Sequence, residues 1–416
     1  MNEQNKKKFI LSIQYLEDAP GLSERKTSVV VEKLRAASNC LPFSHLLIGW
    51  HLPPRLLNAC RKEAESLGMR FLRWHPLLTG DKLFPPGPSH QVIGASGHRV
   101  AGYLDRPEFT FVCPNHPDVQ AAAVDRMKTL LKEGLYQGFF LDRVRFPSPT
   151  KNPLDDLGCF CKYCHQKAAA IGLDLALVRK TIIDRDQTSK GRFSLMQTLM
   201  GGMAPGLPFE SSRLLLAFMK FRSQSVADFV LMISKSIKQA GCEIGLDCFS
   251  NCLAGLVGQD LRALSPCADW IKVMSYAHTM GPAGIPFELT GIFDYLSTNS
   301  NLEPPQILRW ISDAIAIPLP STRRGLEQKG ISSIALELEL RRGVQASRSP
   351  ILAGFEMMDI EGIAELNDVQ ILSDLDAVRQ AEVGGLSISW DFWDIPLKRL
   401  SLVSRIFPML SSKTGN

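Results

Sequence analysis

Short apolar runs alternate with segments whose apolar positions return every three or four residues, and the alternation extends along most of the chain. FILSIQYL (9–16) precedes a helical pattern from about Ser23 to Ala37. HLLIGWHL (45–52) precedes RLLNACRKEAESLG, and MRFLRWHPLL (69–78) follows at once. After a Gly/Pro-rich loop, HPDVQAAAVDRMKTLLKEG reads as a helix and leads into GFFLDRVRF (138–146). A long insert, 147–210, interrupts the pattern until SSRLLLAFMKFRSQSVADFVLMISKSIKQAG resumes it. EIGLDCFS (243–250) and WIKVMSYAH (270–278) come next, then a mostly helical stretch to about Ser347. PILAGFEMM (350–358) and GLSISW (385–390) complete the apolar runs, with a helix around 365–382 between them. A last helix begins at Pro396, a residue suited to a first turn.

Eight strands alternating with helices predict a parallel sheet closed into a (β/α)8 TIM barrel. The expected organisation is one barrel over 1–416, with 147–210 as an inserted subdomain after the fourth strand. An open doubly wound sheet is the alternative, but no GxGxxG follows the first strand.

Composition narrows the setting more than the chemistry. The chain has 416 residues, 45% apolar and 21% charged, enough to bury a large core without staples. Its net charge of +5 comes from scattered Lys and Arg, with no basic segment interleaved with aromatics, so no nucleic-acid partner is expected. The opening MNEQNKKKFILSIQYLEDAP starts like a signal peptide, but Gln14, Glu17 and Asp18 break its apolar stretch and no small-residue cleavage site follows. No run approaches the ~20 apolar residues of a membrane span. The ten cysteines are not spaced as a secreted disulfide scaffold, so a cytoplasmic protein is expected. Oligomeric state, a homo-oligomer included, stays open.

In such barrels the active site lies at the C-terminal ends of the strands. Polar and aromatic residues collect there: Gln14 and Glu17, Trp50 and His51, Trp74 and His75, Asp142 and Arg145, Asp247, then Lys272, Tyr276 and His278. Glu356 and Asp359 end the seventh run, and Trp390 and Asp391 the eighth. Indole faces pack on the C–H faces of sugar rings, and paired carboxylates cleave glycosidic bonds. Asp142 and Glu356 are the expected catalytic pair. Glu356 lies among Phe355, Met357 and Met358, surroundings that favour an acid. Asp142 has arginine neighbours that would keep it ionised, with Arg145 expected to hold or neutralise it. Analogy with barrel glycosidases instead makes the fourth-strand residue the acid, so the two roles stay open. Arg145, Asp247, Lys272, Tyr276, His278, Trp390 and Asp391 are expected to bind substrate, with Trp393 shaping sugar subsites. Asp247 is read equally well as a core carboxylate, and Trp50 and Trp74 as barrel-interior residues. A non-catalytic carbohydrate-binding barrel and a Lys272 Schiff-base lyase are the alternatives. A metal hydrolase is disfavoured because SIQYL offers no histidine pair.

LDRVRFPSP, with the later SISWDFWDIP, resembles uncharacterised barrel proteins grouped near the glycoside hydrolases, in which a fourth-strand D-x-x-R-[FY]-P recurs. FMKFRSQSVADFV and IGLDCFS fit the same pattern. The resemblance covers about residues 100–400 and implies the barrel and carbohydrate chemistry, without naming a substrate.

GCFCKYCHQKA places Cys159, Cys161 and Cys164 in a C-x-C-x2-C spacing. Three thiols so close can converge on one metal, with Cys113 as the best fourth ligand and His116 and His165 as weaker ones. Four buried free cysteines are the alternative state. The C-x3-C-x2-C spacing of radical iron–sulfur proteins is absent. One upstream cysteine followed by C-x-C-x2-C is similar to the structural zinc site of family 42 β-galactosidases. That resemblance implies a closed Zn2+ site of Cys113, Cys159, Cys161 and Cys164. The fourth strand departs from that family, with Asp142 where it has an Asn-Glu pair.

Overall fold

Period-two alternation of the apolar runs lets each strand bury one face against helices and turn the other inward. The structure, a computed structural model, describes residues 9–16, 25–80, 87–102, 109–200, 209–298 and 300–410. Its eight strands are β1 (Ile10–Tyr15), β2 (His45–Ile48), β3 (Arg70–Pro76), β4 (Gly138–Asp142), β5 (Glu243–Phe249), β6 (Trp270–Met274), β7 (Ile351–Glu356) and β8 (Gly385–Ser389). They pair in chain order, every pair parallel, and β8 returns to β1 to close the barrel. The TIM-barrel expectation holds.

Each strand ends earlier than its apolar run suggested. Residues 49–52, 143–146, 275–278 and 357–358 continue the runs but leave the sheet as loops at the C-terminal mouth. Most of these loop residues are buried all the same, because further loops cover them. That burial explains their apolar character.

Helices fall where the three-to-four periodicity placed them, among them Thr27–Cys40, Pro54–Ser66, Pro117–Glu133, Phe209–Gln239, Asp368–Gln380 and Leu397–Ile406. Pro396 caps the last of these rather than occupying its first turn. Within the insert, helices span Pro153–Asp156, Lys162–Ala169, Leu175–Asp186 and Ser189–Leu199. The insert begins over the C-terminal mouth: Ser148 and Thr150 hydroxyls both donate to Glu288 Oε2 (2.6 Å each), on the helix Ile285–Ser297 that follows β6. No helix among the described residues is long and apolar enough to cross a membrane.

Inside the barrel, three kinds of layer stack along the axis. Toward the N-terminal end, Glu243 accepts from Trp270 Nε1 (2.6 Å), lies 3.1 Å from His45 Nε2 and pairs with Arg70. Above it, Leu47, Leu72, Trp74, Phe140, Trp270 and Leu352 form a dry apolar plug. The Trp270 and Phe140 rings stack at 5.5 Å. A third, polar layer sits at the C-terminal end.

The plug leaves no room on β5. Gly245 is the register partner of Trp270, and a Cβ there would lie 2.2 Å from the indole. Gly245→Ala is therefore expected to destabilise the fold by about 1–3 kcal/mol through overpacking, read as a shift in the denaturant midpoint. An unchanged midpoint would mean that the plug is looser than its geometry indicates.

Candidate active site and cysteine cluster

The polar layer is organised by one buried cation. Lys272 Nζ donates to Gln14 Oε1 (2.9 Å), Asp247 Oδ2 (3.1 Å) and Tyr276 OH (2.9 Å), joining β1, β5 and the loop after β6. Ser389 and Ser387 on β8 also donate to Gln14 Oε1, at 2.6 and 3.3 Å. Gly354 on β7 makes the space, since a Cβ there would meet Lys272 Cε at 2.7 Å. Burial alone would pull the amine down, but Asp247 and Tyr276 outweigh it and push its pKa up to about 12. Burial likewise pushes Asp247 up to about 7, aided by Asp142 and opposed by Lys272. Asp247 Oδ1 and Gln14 Nε2 are buried with no hydrogen-bond partner among the described residues.

Asp142 ends β4 on one wall of the mouth. Trp74 Nε1 donates to its Oδ2 (3.0 Å), and the Arg143 backbone N–H to its Oδ1 (2.5 Å). Arg143 adopts a left-handed backbone (φ 54°), and its guanidinium Nε comes within 4.0 Å of Asp142 Oδ2. The same guanidinium lies 5.3 Å from the Trp50 ring and 4.5 Å from that of Phe109. Arg143 thus stands at the limit of ion-pair distance from Asp142, and Arg145, the partner expected from the sequence, is within electrostatic reach of the same carboxyl. Arg145 lies between the rings of Phe111 and Phe249, 4.5 Å from each, and donates to the Phe146 carbonyl (3.1 Å). Burial draws its pKa down to about 10.

Glu356 ends β7 on another wall. Its Oε1 accepts the His278 backbone N–H (2.7 Å), and the Thr279 hydroxyl donates to Oε2. Burial raises its pKa, while His278 and Thr279 pull the other way. The His278 ring is engaged elsewhere, with Nε2 2.7 Å from Asp374 Oδ2 and Nδ1 2.8 Å from the Lys329 carbonyl. Although burial opposes it, Asp374 and Glu356 hold its pKa up at about 9. Trp390 stands edge-on to Tyr276 at 6.2 Å. Asp391 caps the short turn Phe392–Asp394, its Oδ1 accepting the Trp393 N–H (2.9 Å). Trp74 is buried in the plug and Trp50 half-buried beside it. His75 lies buried against Arg126 and Arg73, and Asp359 pairs with Arg399 (3.2 Å). Glu17 lies outside the described residues.

The four cysteines converge as the spacing indicated. Cys113, Cys159, Cys161 and Cys164 are buried, and all four sulfurs lie within 4.8 Å of one another. Cys113 Sγ is 3.4 Å from Cys164 Sγ and 3.6 Å from Cys161 Sγ. A metal–thiolate bond of ~2.3 Å sets tetrahedral sulfurs ~3.8 Å apart, so the group is of a size to hold one ion. Backbone N–H groups of Ile93 and Cys161 point at Cys159 Sγ (3.5 and 3.4 Å), and Asn115 Nδ2 at Cys164 Sγ (3.3 Å). Such donors stabilise thiolates. His116 is not part of the group: its Nδ1 caps a helix by accepting the Asp118 N–H (3.2 Å). His116, His90 and Asp118 form a second close trio, but His90 Nδ1 also accepts a backbone N–H, from Gly87 (3.1 Å).

Some residues that build the site escaped the sequence reading. Arg222 is fully buried, donates to the Gly158 and Leu256 carbonyls (2.7 Å each) and stacks 4.8 Å from Phe146. Its signal was an arginine on the apolar face of FMKFRSQ. Gln259 accepts the Phe249 N–H and donates to the Val144 carbonyl (3.3 Å), tying the ends of β4 and β5. Nothing in its sequence context marked it.

No family model matches the chain, and no curated protein matches its sequence. Solved structures do match in architecture. The glycoside hydrolase domain of PgaB (BpsB) from Bordetella bronchiseptica is 13% identical with a TM-score of 0.54, over 98% of this chain and 99% of that one. A class V chitinase from Pseudomonas fluorescens Pf-5 is 9% identical with a TM-score of 0.51, over 96% and 99%. The β-galactosidase of the psychrophile Marinomonas ef1 is 12% identical with a TM-score of 0.58; the match covers 97% of this chain but 60% of the galactosidase. At such identities the likeness establishes the barrel fold that this chain shares with those proteins.

Proposed function

We propose that the chain is a glycoside hydrolase acting on a carbohydrate at the C-terminal mouth of its barrel. The observation that supports this reading is that Asp142 and Glu356 end β4 and β7 and Asp247 lies on β5, with the half-buried indole of Trp390 just past β8. The glycosidase and chitinase architectures to which the fold is similar lend it support.

Glycosidic cleavage needs one carboxyl that holds its proton and one that does not. Asp142, receiving two N–H bonds and facing Arg143, takes the carboxylate role, as nucleophile or base. Glu356 is the partner expected from strands four and seven, and its burial suits an acid. Asp247 has an equal claim, favoured by two observations: one of its oxygens is free, and its pKa is near neutrality. Lys272 would hold Asp247 in place. The lyase alternative gains nothing from the geometry, because an amine with a pKa of about 12 and three partners offers no lone pair to a carbonyl.

Asp142→Asn should keep the fold and lower turnover of a responsive aryl glycoside by ~10²–10⁴-fold. Glu356→Gln and Asp247→Asn then separate the candidate donors, since the true one shows a comparable loss. If all three variants turn over at the wild-type rate per folded molecule, none of these carboxylates is catalytic; if the wild type itself turns over no glycoside, the barrel binds sugars without cleaving them.

With Asp247 as donor, activity requires its protonated form, which is lost as pH rises through about 7. The alkaline limb of kcat/KM should therefore lie near pH 7. Lys272→Met removes the cation that lowers the Asp247 pKa, so the limb should move upward in the variant. A limb that stays fixed assigns the donor elsewhere.

We further propose that the four cysteines hold one structural Zn2+. A closed thiolate set leaves no position for water, so the metal would contribute to folding rather than to the chemistry. Protein purified without chelators should carry about one equivalent of zinc. Cys164→Ser should lose it together with several degrees of thermal midpoint. Metal-free protein of full stability would show that the thiols are simply buried.

A further inference from the structure

Beside the barrel mouth, above β4 to β6, lies a cavity of about 130 Å³. Val100, Phe109 and Phe111 form one wall, Pro147 to Asp156 of the insert a second, and Phe287 with Glu288 a third. Arg145 forms the end nearest the mouth, within electrostatic reach of Asp142 and Asp247. Neither the catalytic carboxylates nor the cysteine cluster accounts for this space. The geometry points to a subsite that receives a neutral acyl substituent of the sugar, a carbonyl group with a short apolar tail. The inference rests on the carbohydrate reading above and adds the class of sugar.

Size excludes a whole ring. An apolar cavity of ~150 Å³ just accommodates benzene, and complete ligand sites run to ~300 Å³ or more. A space of 130 Å³ suits a side group of a few heavy atoms.

Polarity identifies the group. Arg145 lines the cavity and is buried, and its Nε–H has no acceptor among the described residues. A buried donor left unpaired is costly, and a carbonyl oxygen would satisfy it. Asp156 supplies a half-buried carboxyl on another wall. Phe109, Phe111 and Phe287 supply apolar faces for a methyl group.

Charge argues against an acidic ligand. Arg145 and Lys151 face Asp156 and Glu288, two cations against two carboxyls. Glu288 is saturated by Ser148, Thr150 and the Ala283 N–H (3.0 Å), and Lys151 lies 4.1 Å over the Phe287 ring. An entering carboxylate would upset this balance of two cations and two carboxyls. A neutral group would not.

The test is calorimetric titration of the full chain with matched oligosaccharides that carry a free hydroxyl, an acetamido group, an O-acetyl group or a uronate carboxylate. One acylated form should bind at least ~tenfold tighter than its hydroxyl counterpart, and the N- and O-acetyl arms tell the two sources apart. Arg145→Met should abolish that preference. Phe287→Ala, which enlarges the wall at a half-buried position, should shift the preference toward a longer acyl chain and keeps the test open should Arg145→Met misfold. Equal affinity for plain and acylated sugars, or tighter binding of the uronate, would overturn the subsite and leave the hydrolase reading standing. Acyl-selective binding without turnover of any glycoside would do the reverse. Binding of no saccharide at all would remove both.

Discussion

The mouth of this barrel depends on an ammonium group buried away from bulk solvent. Withdrawing such an ion from solvent costs several kcal/mol unless close partners replace the lost hydration. Lys272 finds them on β1, β5 and the loop after β6, and Gln14 extends the network to β8. Strands far apart in the chain thus meet through one nitrogen, and the arrangement is stable only when the sheet closes. The same contacts leave Asp247 with one oxygen engaged and one free. Gly354 belongs to this account, because its missing side chain is the volume that the lysine occupies.

Much of the architecture was legible because a parallel barrel writes itself as repeated apolar runs between amphipathic helices. What misled was the length of the runs. Val144, Phe146, Tyr276, Ala277, Met357 and Met358 are as buried as strand residues, yet they belong to loops. Burial alone cannot reveal whether a backbone is paired. Placement on the strands was legible: Asp142, Asp247, Lys272 and Glu356 lie on β4, β5, β6 and β7, and Trp390 follows β8. Pairings were less so. Arg143 and Arg145 are two residues apart, and Arg143, with its left-handed backbone, is the one that comes within 4.0 Å of Asp142. His278 serves through its backbone while its ring turns to Asp374, a choice made by a helix nearly a hundred residues away in sequence. The cysteine cluster was the clearest local signal, since three of its thiols lie within six residues and only one had to be found elsewhere.

The cysteines also matter for the shape of the mouth. Cys113 follows Phe111 by two residues, and Cys159 follows Asp156 by three. The sulfur group therefore joins the chain segments that form two opposed walls of the side cavity. Arg222 reinforces the join by binding the Gly158 carbonyl and stacking on Phe146. The insert is also held further along its length, by Arg179 on the Ala95 and Ser96 carbonyls and by Asp186 accepting from the Tyr295 hydroxyl.

The apolar plug of Leu47, Leu72, Phe140, Trp270 and Leu352 has a consequence for traffic. It makes the barrel a blind well rather than a tunnel. Lys272 is itself fully buried above the plug, so any path to its layer has to open from the C-terminal side alone.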